Sequence, residues 1–156
     1  KEGPTSPGNA SGIVDGACSV LIASKEYIET HGIKPLAKIR CFSSVGVRPD
    51  IMGIGPVPAI KSALSALNLS INDVDHFEIN EAFSAQCLAV SEALELNEDK
   101  LNVHGGAISI GHPLATTGLR LVTTLLNTLH KNDKSFGVAS ACIGGGQGIA
   151  MVVERC

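Results

Sequence analysis

"FGVASACIGGGQGIAMVVE", Phe136 to Glu154, places two apolar runs on either side of a cluster of glycines. Phe136 to Cys142 and Gly148 to Glu154 are each of strand length and rich in Val, Ile and Ala, so they read as two strands closing the chain with a glycine turn between them. Upstream, Leu114, Leu121, Val122, Leu125, Leu126 and Leu129 recur at helical spacing behind Pro113, which suits the first residue of a helix. Before that, His76 to Asn80 reads as a strand that passes directly into a helix from Glu81 to about Leu94, burying Phe83, Leu88, Val90 and Leu94.

The same alternation continues toward the start. Val57, Ile60, Ala63, Leu64 and Leu67 mark a helix, Ser70 or Asn72 can open a short turn, and Leu36 to Val47 suits a strand. Ala17 to Ala23 reads as a buried strand, followed by a helix over Glu26 to His31 that Ser24 caps and Gly32 ends. Between these elements, "RPDIMGIGPVP" is too rich in Pro and Gly for regular structure, and "NVHGGAISIGHP" also reads as loop. The first twelve residues hold Gly3, Pro4, Pro7, Gly8 and Gly12 and open the chain in a loop. Strands alternating with helices predict a layered α/β domain.

Composition agrees. A chain of 156 residues buries about 70% of its unfolded surface when it folds as one domain. Apolar residues are 44% of the chain and aromatics 3%, so Ala, Val, Ile and Leu must build the core. The net charge of −3, with no stripe of Lys and Arg, argues against nucleic acid or an anionic membrane surface as partner. No apolar run reaches the length of a membrane span, and the opening residues lack a signal-peptide pattern. The cysteines, Cys18, Cys41, Cys87, Cys142 and Cys156, are odd in number and match no disulfide framework or zinc spacing, which implies a reduced, intracellular setting.

Three corners carry residues with chemistry. His112 precedes Pro113, and backbone N–H groups at a helix start would favour a neutral imidazole able to take a proton or to hold an oxyanion; capping the helix is the plainer role. Cys142 ends a strand beside Ile143, Gly144, Gly145 and Gly146. A hairpin needs one or two glycines for positive φ; a third suggests bare N–H groups offered to an oxygen beside a thiol. Asn80 and Glu81 follow a strand, where Asn most often caps the next helix. A metal site from Cys87, His104, His112 and Cys142 matches no familiar ligand spacing.

Taken together and in order, "NEAF", "GGAISIGHP" and "CIGGGQG" resemble the C-terminal part of the thiolase family, and "GNASGIVDGA" and "IMGIGPVPA" extend the likeness over nearly the whole chain. The resemblance implies a thiolase-like layered fold, a mixed sheet with helices on both faces. It also implies thiolytic cleavage of 3-ketoacyl-CoA or Claisen condensation of acetyl-CoA. In those terms His112 activates a nucleophilic cysteine and helps hold the thioester oxyanion. Cys142 is the acid and base, the N–H of Gly144 lies in a second oxyanion hole, and Asn80 holds a water completing the first. Glu81 would support these from behind, while Ser11, Ala82 and Phe83 would line the pantetheine channel. Coenzyme A thioesters are then substrates, with no separate cofactor and no metal.

The nucleophile is missing. The family's acyl-carrying cysteine stands in Cys-x-Ser-Gly, and no cysteine here has that setting. The chain is therefore expected to be inactive alone, with residues 1–34 as a loop plus the last strand and helix of an N-terminal thiolase half, and 35–156 as the C-terminal domain. The resemblance further implies a homo-oligomer, dimer or tetramer, and a mitochondrial, cytoplasmic or peroxisomal location. Ala115, His104 and Val14 depart from the usual glycine, asparagine and asparagine, and a methyl at Ala115 would narrow the substrate channel. The competing reading is a non-catalytic thiolase-like module that binds acyl-CoA or serves assembly; retention of His112, Cys142 and Asn80 argues for the enzyme.

Overall fold

The computed structural model describes residues 3–156, so Lys1 and Glu2 of the expected opening loop lie outside the described residues. The glycine-rich stretch makes the hairpin at the centre of a four-stranded sheet. Strands β1 (Ala37–Gly46), β2 (His76–Ile79), β3 (Phe136–Ile143) and β4 (Gln147–Arg155) lie in the order β1-β4-β3-β2. β4 is antiparallel to both neighbours, with Ile143 opposite Gln147 at the turn, while β2 runs parallel to β3. The sheet is therefore mixed.

Alternation along β3 and β4 sends successive side chains to opposite faces. Val138 and Val152 pack with Ala59, Ile60, Ala63 and Leu64 of helix α2 (Pro56–Ser65). Ala139 and Val153, one residue on, pack with Leu121, Leu125 and Leu129 of helix α5 (Thr117–Lys131) on the other face. Each fully buried leucine contributes roughly 2 kcal/mol. The leucine stripe fits because Gly137 has no side chain: a Cβ there would lie 2.7 Å from Leu125 Cδ1. Helix α3 (Ser84–Leu94) adds Val90 and Leu94 to the α2 side. Helix α1 (Lys25–His31) has Ser24 as its cap and left-handed Gly32 at its end, and Ser70 and Asp73 form a capping box around a single 3₁₀ turn. No helix among the described residues is long and apolar enough to cross a membrane.

Several sequence expectations need correction. Ala17 to Ala23 forms no strand, and Leu21 and Ile22 are 84% and 75% exposed, because no described strand lies alongside to accept its backbone hydrogen bonds. The Pro-rich loop is not irregular: a 3₁₀ segment spans Pro49–Ile54 and α2 begins at Pro56, where a missing N–H costs nothing in the first turn. α3 starts at Ser84, not Glu81, and buries Gln86, Cys87, Val90, Ser91 and Leu94 while Phe83 and Leu88 stay exposed. The loop "NVHGGAISIGHP" contains a short helix, α4 (Ala107–Ile110). α5 begins at Thr117; Pro113 only opens the turn before it, and Leu114 lies outside the apolar stripe, exposed.

Candidate active site

β2 delivers Asn80 to the parallel seam between β2 and β3. Its backbone N–H donates to Ser140 O at 2.9 Å, two residues before Cys142 on β3. The Asn80 side chain is not a helix cap, since Phe83 occupies that position. It is 1% exposed, and neither Nδ2 nor Oδ1 has a partner in the chain. A buried amide left unpaired costs about 1–3 kcal/mol, so such a group points to a ligand contact.

Glu81 turns away from Asn80 into the loop before His112. Its Oε2 accepts from Ile108 N at 3.1 Å and its Oε1 from Asn102 Nδ2 at 3.2 Å. Gly106 is required there, because a Cβ would lie 2.4 Å from Glu81 Cδ. The carboxylate thus ties the α4 loop to the "NEAF" corner.

A single extended segment stitches the two corners together from outside. Ser84 N donates to Asn9 O at 2.9 Å, Ser11 N and Oγ donate to Ala82 O at 3.1 and 3.2 Å, and His112 N donates to Gly12 O at 2.7 Å. Ser11 therefore sits on Ala82, with half-buried Ala82 and exposed Phe83 at the edge of the same corner.

His112 is fixed by Thr117, whose Oγ1 lies 2.6 Å from Nδ1. Burial lowers the imidazole pKa, and the nearby Arg120 charge lowers it further. The neutral ring follows from these causes and not from a helix start, which lies beyond His112. Arg120 Nη1 also pairs with Glu78 Oε2 at 3.3 Å, across side chains 14% and 2% exposed. Burial raises the Glu78 carboxyl to about 7, against the pull of Arg120 and with the push of Glu81.

Cys142 is half-buried at the end of β3, and burial raises its thiol pKa, partly offset by its own backbone N–H. The thiol is the resting form at neutral pH. Behind it, buried Cys87 is pushed up to about 12 by desolvation, then by Glu81, Cys142 and Glu78. In the turn, Gly145 and Gly146 have φ of +88° and +94°, and a Cβ on Gly146 would meet Val47 O at 2.3 Å. Gly144 has neither constraint: a Cβ there meets nothing within 4 Å. Two glycines are explained by the hairpin, and the third faces open space.

Glu78, Arg120, Thr117 and Asn102 were not singled out from the sequence. A lone acid in the apolar run "HFEIN" and a lone arginine in a leucine-rich helix were the available signals for the first two. His104 is exposed, and no group of three or more His, Cys, Asp or Glu among the described residues is placed to hold a metal ion.

Residues 33–155 match the family model described as thiolase, C-terminal domain. The chain is similar to the cytosolic acetyl-CoA acetyltransferase of Mus musculus, at 50% identity over 153 residues, covering 98% of this chain and 38% of that protein. It is also similar to the mitochondrial 3-ketoacyl-CoA thiolase of Bos taurus, at 51% identity over 155 residues, covering 99% of this chain and 39% of that protein. The crystal structure of human mitochondrial 3-ketoacyl-CoA thiolase in complex with CoA superposes with a TM-score of 0.95 at 49% identity, over 96% of this chain and 38% of that one. The chain spans less than two fifths of the length of these relatives.

Proposed function

The chain belongs to the thiolase family, and from that premise we propose that it forms the C-terminal portion of an enzyme that cleaves 3-ketoacyl-CoA with coenzyme A or, in reverse, condenses acetyl-CoA. The observation that carries this reading is the buried, unpartnered carboxamide of Asn80 at the seam that also bears Cys142. A module serving assembly alone has no use for an amide desolvated at that cost, and the retention of His112 and Cys142 beside it favours the enzyme over a module that only binds acyl-CoA.

The roles follow from the chemistry of each group. In cleavage, a nucleophilic cysteine from the N-terminal half loses its proton to the neutral His112 ring and attacks the keto carbon. Breaking the bond between C2 and C3 leaves the acyl group on that cysteine and an acetyl-CoA enolate, which the Cys142 thiol protonates. Coenzyme A then takes the acyl group. Asn80, through a water, and His112 hold one developing oxyanion, and the Gly144 N–H holds the other. The raised pKa of Cys142 suits it as proton donor to the enolate. Ser11, Ala82 and Phe83 line the pantetheine channel, Glu81 steadies the loop before His112, and no cofactor or metal takes part.

On the same reading, residues 1–34 belong with the N-terminal half, whose sheet takes up Ala17 to Ala23; the exposed Leu21 and Ile22 support this. The family resemblance implies a homo-oligomer for the complete enzyme, and the cytosolic and mitochondrial names of its relatives support a place inside the cell.

Cys142→Ala in the complete protein tests the assignment. Incubated with acetyl-CoA, whose acyl transfer passes through no enolate, the variant should still form the acyl-enzyme, seen as a mass increase on the N-terminal half, while turnover of acetoacetyl-CoA stops. Full turnover in that variant removes Cys142 from the chemistry. The isolated chain should show no thiolysis, and measurable turnover by it would contradict the missing nucleophile.

A further inference from the structure

We propose that Asn102 is a positioning residue of this reaction: its carboxamide clamps the peptide of Ile79 and the carboxylate of Glu81, and thereby fixes Asn80 between them. The proposal rests on the thiolase reading of Asn80.

Asn102 is 9% exposed and held at φ +45°, a left-handed conformation that Asn tolerates better than most side chains. Its Oδ1 accepts from Ile79 N at 2.8 Å and its Nδ2 donates to Ile79 O at 2.9 Å. The side chain thus completes the edge of β2 at its last residue, as a neighbouring strand would. The second Nδ2 hydrogen goes to Glu81 Oε1 at 3.2 Å. Asn102 N also donates to Phe77 O at 2.9 Å, so the backbone of Asn102 is itself anchored to β2.

These bonds hold the residue on each side of Asn80. The Asn80 carboxamide has no partner of its own in the chain, so its direction is set by its backbone and the packing around it. The same Glu81 carboxylate binds Ile108 N, four residues before His112. Only a carboxamide does this work: it must accept from one N–H and donate to both a carbonyl and a carboxylate. Aspartate has the shape but no donor, and it would repel Glu81.

The test uses the complete protein, with turnover of acetoacetyl-CoA expressed per site that can be acylated, counted by mass spectrometry. Asn102→Ala should lower kcat about 10- to 100-fold with KM changed less than about threefold. In an Asn80→Ala background the same substitution should cost less than about a further threefold, since the group being positioned is gone. A merely structural residue would reduce the number of active sites, or lower turnover equally in both backgrounds; either result overturns the proposal. Asn102→Asp, nearly isosteric, carries the same expectation if Asn102→Ala does not fold. Full turnover by Asn80→Ala alone is a separate result, and it overturns the role of Asn80 on which the clamp depends.

Discussion

Thr117 Oγ1 lies 2.6 Å from His112 Nδ1 and 3.3 Å from Pro113 O. Pro113 O can only accept and a hydroxyl has one proton; with that proton on the carbonyl, the ring nitrogen is the donor in the shorter bond. Nε2 is then left with its lone pair free to act as a base. Thr117→Val removes the acceptor and frees the tautomer. It should lower kcat about tenfold, or about 1.4 kcal/mol, in steady-state assays of the complete protein. Thr117→Ser should restore most of the rate; equal losses in both variants would deny the hydroxyl its role.

The buried pair of Glu78 and Arg120 predicts a pH dependence of stability. Burial raises Glu78 from 4.5 to about 7, so the folded chain holds more protons than the unfolded chain between those values. Stability from this group is therefore greatest below about 4.5 and falls as pH rises toward about 7. Glu78→Gln removes the titration but leaves Arg120 buried at a constant cost. From pH about 4.5 to about 7.5, the variant should gain about 3 kcal/mol relative to the native chain, measured by urea unfolding followed by circular dichroism. A pH-independent difference between the two proteins would contradict the shift.

The two kinds of glycine in the turn should separate on substitution. Gly146→Ala places a methyl against Val47 O at positive φ, and should destabilise the chain by about 2 kcal/mol or more. Gly144→Ala meets nothing, so its stability should stay within about 0.5 kcal/mol of the native chain. Its kcat should nevertheless fall at least about tenfold, because on the proposed reading the methyl projects beside the N–H that holds the oxyanion. Thermal melts and steady-state rates on both variants check the contrast.

The capping box gives a simpler check. Ser70 Oγ donates to Asp73 Oδ2 at 2.6 Å and Ser70 N donates to the same oxygen at 2.7 Å, holding the Asp73 carboxyl below its usual range, chiefly through the Ser70 hydroxyl. Ser70→Ala should lower the urea unfolding midpoint slightly without altering kcat.

Periodicity in the sequence was enough to place the sheet and its two main helices. Val138 and Val152 alternate with Ala139 and Val153, and Leu121, Leu125 and Leu129 recur every fourth residue. Ala17 to Ala23 misled because an apolar run states a preference for burial but not where its strand partner comes from. Pro49 and Pro56 misled in the opposite sense, since proline stops a helix interior yet starts a helix well. At the candidate site, short motifs were what singled out His112, Cys142, Asn80 and Gly144 as candidates. Asn102 and Arg120 meet partners more than twenty residues away, and Thr117 meets His112 within one turn, but polar contacts of either kind leave no periodic trace.

The stretch from Asn9 to Gly12 grips the "NEAF" corner with one end and the His112 backbone with the other. The separation between imidazole and carboxamide is consequently gauged by a strip of chain that contributes no catalytic group. On the proposed reading, a shift in that strip would displace both sides of one oxyanion hole together.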